Sequence, residues 1–274
     1  MIANVLSIAG LDPSGGAGIL ADVKTFSALG AYGMAAAAAL TAQNTVRVSG
    51  FQLVDPAFVR DQIDRVFEDI RVDAVKVGMV GSASIAETVA EALLRHEARR
   101  IVVDPVMVAK SGDRLLSPDA VAVIRDTLVP LADVLTPNLP EAGALLDAEP
   151  ITDLADAEAT VNALQALGPS AVLLKGGHAG GPHSTDIYFD GERLEELDAP
   201  RIPTKNTHGT GCTLSAAIAA LLPGREPIDA VREAKAYVTA AIASANHLDV
   251  GGGHGPLHHF HGQWPTTPVE PATG

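Results

Sequence analysis

The stretch AVKVGMVGSASIAETVAEALLRHEARRIVVDP, residues 74–105, decides the fold. Its two apolar runs, 74–77 and 101–103, are short, rich in valine and isoleucine, and closed by Gly78 and by Asp104-Pro105. Runs of that kind are strands buried on both faces of a parallel sheet. Between them Ser82 offers a side-chain oxygen to cap a helix that the pattern carries to about residue 95. Strand, helix, strand is one βαβ unit, and it implies a parallel pair.

The same alternation extends in both directions. Upstream, Val5-Leu6-Ser7-Ile8-Ala9 ends in Gly10 and reads as a strand, followed by a helix over 17–29. A second apolar segment over 35–41 is expected as a strand, and Asp55-Pro56 opens a helix with a capping carboxylate and a proline suited to the first turn. Downstream, Ser117-Pro118 repeats that start; strands follow at 134–137 and 171–174, with helices at 140–146 and 153–167. Asp190-Gly191 between two short polar–apolar runs predicts a hairpin with a type I′ turn. The last third is expected to be helical over 210–222 and 228–247. No linker or internal repeat divides the chain. One α/β domain over 1–262 is expected, with a disordered tail over 263–274 that carries three prolines.

Composition narrows the function. The chain has 274 residues, 19 Lys+Arg against 33 Asp+Glu, and a formal net charge of −14. That charge argues against a nucleic-acid partner, which requires a basic face, and against docking on anionic membranes. A single cysteine, Cys212, excludes an intrachain disulfide. Aromatics are 4% of residues, so the core is aliphatic. No Lys or Arg precedes Lys24, which gives no basic start for a secretory signal, and the alanine-rich 34–40 is far below the ~20 residues of a membrane span. The expected compartment is the cytoplasm.

In an open parallel sheet, ligands bind beyond the carboxyl ends of the strands. The residues there carry the chemistry. Asn206-Thr207-His208-Gly209-Thr210-Gly211-Cys212-Thr213 runs into an apolar helix. Its glycines let successive N–H groups point one way, and the helix end adds positive potential, making a seat for a phosphoryl group. At such a helix start a thiol pKa is expected to fall. Read alone, the segment is equally a glycine turn before a core helix. Gly10-Leu11-Asp12-Pro13-Ser14-Gly15-Gly16-Ala17-Gly18 matches neither dinucleotide nor P-loop spacing. It is a tight strand–helix turn or a loop in which Asp12 hydrogen-bonds a small ligand. Asp104 and Glu141 are candidates for magnesium, which takes oxygen ligands, or else helix caps. Lys175 is a candidate phosphate ligand or an exposed lysine. His254, His258, His259 and His261 lack the spacing of a metal site, and His258 and His259 are expected to close the C-terminus onto the domain.

Together these segments resemble the bacterial hydroxymethylpyrimidine/phosphomethylpyrimidine kinases of thiamine biosynthesis, within the ribokinase-like superfamily. The resemblance rests on Ser7-Ile8-Ala9-Gly10, Asp12 to Gly18, Asp22-Val23-Lys24-Thr25-Phe26, Ala42-Gln43-Asn44-Thr45 and Lys76-Val77-Gly78-Met79. It continues through Asp104-Pro105-Val106-Met107-Val108-Ala109-Lys110-Ser111-Gly112, Thr136-Pro137-Asn138-Leu139-Pro140-Glu141-Ala142, Leu174-Lys175-Gly176-Gly177-His178 and Asn206 to Thr213. Leu11 departs from the small polar residue more usual there. The resemblance implies a ribokinase-like α/β fold: a mainly parallel central sheet with helices on both faces and an antiparallel edge hairpin. It implies ATP and Mg²⁺ as cofactors and a homodimer. It assigns Gln43 to the aminopyrimidine edge, with Met79 and Val106 flanking the ring; Gly10 and Asp12 are the substrate-side candidates of the 10–18 loop. Cys212 takes the catalytic position, with Gly209, Thr210 and Gly211 as the anion hole. Lys175 and Thr207 fall to ATP, Asp104 and Glu141 to magnesium. The rivals are a pyridoxine-type kinase of the same fold, a silent pyrimidine- or nucleotide-binding protein, and a Cys-His hydrolase, the last lacking an acidic partner for His208.

Overall fold

The computed structural model describes residues 1–107, 118–177 and 179–265. Nine strands form one sheet: β1 (Asn4–Leu11), β2 (Tyr32–Gln43), β3 (Val48–Leu53), β4 (Ala74–Val77), β5 (Ile101–Val103), β6 (Val134–Leu135), β7 (Val172–Lys175), β8 (Asp186–Phe189) and β9 (Leu194–Leu197). Their order is β3-β2-β1-β4-β5-β6-β7-β8-β9. From β2 to β7 every pairing is parallel; β3 at one edge and β8 and β9 at the other are antiparallel.

The helices are α1 (Gly18–Ala28), α2 (Pro56–Asp69), α3 (Ala83–Arg95), α4 (Pro118–Val123), α5 (Leu139–Leu145), α6 (Ala157–Gln165), α7 (Thr210–Leu221) and α8 (Pro227–Ala243). Alternation along the central strands sends side chains to two cores, as a two-residue period requires. Leu6, Ile8, Val75 and Val77 join Val59, Ile63, Ile85 and Leu93 under α2 and α3. Val5, Ala74 and Val102 join Phe26 of α1 and the alanine-rich α7 and α8 on the other face. Nine consecutive residues of α7, Thr213 to Leu221, are buried, so this helix is a core element with a functional start. Local caps set the entries: Asp55 accepts from Ala57 N, Ser82 from Ile85 N, and Asn138 forms a reciprocal box with Glu141.

Four expectations change. The second strand is longer than 35–41: its start, from Tyr32, pairs with β1, and its end, to Gln43, pairs with β3, which lacks a buried run and so gave no periodic signal: five of its six residues are exposed. The 190–193 turn is not type I′, which needs two left-handed residues. Only Gly191 is left-handed (φ 92°), and the Asp190 carboxylate caps the turn through Glu192 N and Arg193 N. The final helix stops at Ala243 and a separate 3-10 turn spans Ala245–His247. Within the expected tail, Gln263 donates to Ala28 O (2.7 Å) and Trp264 stacks on Phe260; residues 266–274 lie outside the described residues, as do the Ser117 cap, His178 and Val108 to Gly112.

One polar feature interrupts the core under α1. Lys76 sits mid-strand in β4, beside Ser7 of β1, and is fully buried. Its ammonium donates to both oxygens of buried Asp22 of α1 (2.9 and 3.1 Å), and Ser7 Oγ donates to the same carboxylate (2.6 Å). Removing one member of a buried pair strands the other without water. Asp22→Ala is expected to cost about 3–5 kcal/mol in guanidinium unfolding, and Asp22→Ala/Lys76→Met distinctly less than Asp22→Ala alone.

Candidate active site

A cavity of about 1210 Å³ opens beyond the carboxyl ends of β1, β4, β5 and β7 and the start of α7. Every residue that the sequence singled out as catalytic, substrate-, nucleotide- or metal-binding lines it. Gly10 is the last residue but one of β1, Met79 follows β4, Asp104 and Val106 follow β5, Lys175 ends β7, and Gln43 ends β2. The switch from strand to loop thus delivers each group to one rim.

The glycine loop is shaped by close approach. Gly209 caps α7 in the left-handed region (φ 78°), and a Cβ there would lie 1.8 Å from Gly16 O. Only glycine lets the two loops touch and the chain turn at once. Thr210 Oγ1 donates to Thr207 O (2.8 Å) and Thr213 Oγ1 to Gly209 O (2.9 Å), so side chains brace the turn. A Cβ on Gly211 would stand 3.4 Å from Lys175 Nζ and 3.8 Å from Asp104 Oδ2, which puts the loop beside the charged groups.

Those charges form one cluster. Lys175 Nζ donates to Asp104 Oδ1 (2.8 Å) and lies 3.8 Å from Glu141 Oε2. Lys175 is therefore a buried, paired cation, not a surface lysine; its side chain is 12% exposed. Thr136 Oγ1 and Ser215 Oγ also donate to Asp104 (3.3 and 3.1 Å). Burial opposes ionisation of Asp104, but Lys175 and Lys76 outweigh it and hold the carboxyl below its ordinary range. Glu141 is pushed up to about 7 by burial, Lys175 pulling down and Asp104 pushing further up. Glu141 keeps both readings given to it: it caps α5 through Asn138 N (2.8 Å) and faces the cavity.

Asp12 holds the turn after β1. Its carboxylate accepts from Ser14 N (2.9 Å), Ser14 Oγ (2.7 Å) and Ala17 N (3.0 Å), and meets His208 Nε2 at 2.8 Å. It organises the 10–18 loop and also lines the cavity. It is also the acidic partner of His208 that the sequence did not reveal, since 196 residues separate them. Gln43 Nε2 lies 3.3 Å from the same ring nitrogen, and Gln43 Oε1 lies 3.3 Å from Thr41 Oγ1.

Further groups went unread in the sequence. Lys76 was visible as a lysine inside an apolar strand. Lys235 of α8 donates to Asp186 Oδ2 (2.7 Å) and Ser184 O (2.6 Å) at the far side of the cavity, and nothing local marks it. His258 and His259 are buried; His259 Nε2 meets Thr213 Oγ1 (3.2 Å), bringing the C-terminal segment against the start of α7. Among the described residues no group of three or more His, Cys, Asp or Glu could hold a metal.

Cys212 reverses an expectation. Burial pushes its thiol up to about 11; Lys76 pulls it down, Asp22 and Asp104 push it up, and an N–H from Gly18 pulls down again. The helix end does not overcome desolvation, so the thiol is neutral near pH 7. A neutral thiol, with His208 Nε2 committed to Asp12, does not make a Cys-His nucleophile. As the sole cysteine, it can be followed by iodoacetamide in the native protein. Alkylation at pH 8 is expected to be on the order of a hundredfold slower than for free cysteine, rising with pH toward 11. Rapid labelling at pH 8 would contradict the burial.

Comparison with known proteins places the chain in a family. A family model described as phosphomethylpyrimidine kinase matches residues 12–258. A Salmonella typhimurium protein named hydroxymethylpyrimidine/phosphomethylpyrimidine kinase is 54% identical over 262 residues, 95% of this chain and 98% of its own. Among solved structures, a Bacillus subtilis pyridoxal kinase in complex with ADP superposes with a TM-score of 0.88 at 36% identity, covering 94% of this chain and 98% of its own. A phosphomethylpyrimidine kinase from Clostridium difficile gives 0.78 at 41% identity, covering 88% and 99%. The ribokinase-like sheet and this degree of identity agree: the chain is a phosphotransferase and belongs to the phosphomethylpyrimidine kinase family.

Proposed function

We propose that the protein transfers the γ-phosphoryl group of ATP to the hydroxymethyl oxygen of 4-amino-5-hydroxymethyl-2-methylpyrimidine, and then a second phosphoryl group to the resulting monophosphate, in thiamine biosynthesis. The observation that carries this reading is the pairing, in one cavity, of an amide at Gln43 with an N–H-rich loop over Gly209 to Cys212. An amide offers a donor and an acceptor side by side, matching a ring nitrogen beside an amino group. Met79 and Val106 provide apolar contact for the ring.

Phosphoryl transfer depends on alignment and charge stabilisation more than on covalent participation by the protein. The loop N–H groups and Lys175 attract the transferring group; losing one such donor typically costs ~10²–10³ in rate. Asp104 and Glu141 supply hard oxygen donors, few enough to leave positions for phosphate and water, so the donor set fits Mg²⁺. Bound there, magnesium would neutralise phosphate charge. Thr207 lines the same region and is assigned to the nucleotide. The neutral thiol of Cys212 orients the attacking hydroxyl instead of pre-forming a base.

The test is an ATP-dependent assay resolving mono- and diphosphate products, run beside pyridoxine because pyridoxal kinases share the fold. Both pyrimidine products are expected, with the pyrimidine alcohol preferred; pyridoxine as the better substrate would overturn the reading. Cys212→Ala is expected to lose most turnover, by about 10²-fold, while calorimetry shows the pyrimidine still bound.

The compartment proposed is the cytoplasm; among the described residues no helix is long and apolar enough to cross a membrane. A homodimer is proposed on the β2–β3 edge, where Leu40, Phe51 and Leu53 are exposed at 43–47%. Light scattering is expected to give twice the chain mass, and Phe51→Lys/Leu53→Lys to give monomers.

A further inference from the structure

The geometry points to His208 as the residue that sets which end of the Gln43 amide is oxygen and which is nitrogen, and hence the one orientation in which an aminopyrimidine can dock. This rests on the proposed substrate class; the hydrogen-bond network itself does not.

The donors can be counted. Asp12 is an acceptor; burial opposes its ionisation, yet the bonds from His208 and Ser14 hold it below the usual carboxylate range. His208 Nε2, 2.8 Å away, must therefore carry the proton and donate. A ring nitrogen that carries a proton has no lone pair for a second donor. It also lies 3.3 Å from one end of the Gln43 amide, and that end must then be the oxygen. The other end lies 3.3 Å from Thr41 Oγ1, whose single proton is directed at Leu11 O (3.0 Å). Thr41 is thus an acceptor toward Gln43, and this end must be NH₂. Both contacts demand the same orientation, oxygen toward His208 and nitrogen toward Thr41. The two ends of an amide have the same shape, so only such a count distinguishes them.

Along the chain Leu11 O, Thr41 Oγ1, Gln43, His208, Asp12 no donor then faces a donor, the one Nε2 proton being directed at Asp12 and shared with the amide oxygen beside it. This arrangement uses one amide proton and one oxygen lone pair, leaving the second of each for the cavity. There a ring nitrogen must lie on the Thr41 side and an amino group on the His208 side. A ring turned end for end would set amine against amine. The ring of His208 is held by Asp12, its backbone N–H donates to Gly255 O (3.0 Å), and Gly209 follows it directly. The same residue therefore ties the recognition of the base to the phosphoryl loop.

His208 is a positioning residue, and its test separates that role from general support. In the unliganded, ¹⁵N-labelled protein, long-range ¹H–¹⁵N spectra are expected to show a proton on His208 Nε2; an unprotonated Nε2 overturns the network whatever the substrate is. In kinetics, His208→Phe is expected to raise KM for the pyrimidine alcohol about tenfold and KM for ATP by less than about twofold, the loss of one directed hydrogen bond. His208→Gln, which returns an N–H, recovers most of that KM. Gln43→Leu/His208→Phe is expected to bind the pyrimidine no worse than Gln43→Leu alone, and additive losses overturn the proposal. Thermal melts confirm that each variant is folded. Should the wild type not phosphorylate the pyrimidine, the substrate reading fails while the spectrum still decides the network.

Discussion

The approach of Gly209 to Gly16 governs the site. Two loops from opposite ends of the sequence pack backbone to backbone, at a distance no side chain permits. That contact fixes where α7 begins, and so where the thiol of Cys212, the loop N–H groups and the ring of His208 stand relative to Asp12. The buried length of α7 holds the contact from below, since a helix with nine buried residues in succession cannot shift without opening the core.

A second constraint is charge. The chain carries −14 overall, yet the floor of the cavity is built on two ammonium groups, that of the fully buried Lys76 and that of the largely covered Lys175. Each is raised above its ordinary pKa because neighbouring carboxylates outweigh its burial. The acidic shell repels polyanions that read a broad surface. The local field inside remains suited to one small anion, because interactions in a dry site are screened little.

Much of this was legible in the sequence for identifiable reasons. The central strands are apolar apart from Ser7 and Lys76, so their period and boundaries are strong signals, and the rim residues follow because loops begin where strands end. The 190–193 turn and β3 were misread or missed since both are exposed and shaped by single residues or by pairing. Partnerships spanning the chain, such as Asp12 with His208 or Lys235 with Asp186, depend on tertiary approach and leave no local trace. The Cys212 thiol was misjudged because the helix end is a local feature, whereas desolvation by the packed structure around it is not.

The protonated state of Cys212 has a consequence for oxidative chemistry. Peroxide attacks thiolate far faster than thiol, so a catalytic-loop cysteine with a low pKa would be a standing liability. Burial keeps this one in its unreactive form, at the mouth of a site that solvent can enter. Desolvation that removes its nucleophilicity thus also shields it from sulfenic acid formation.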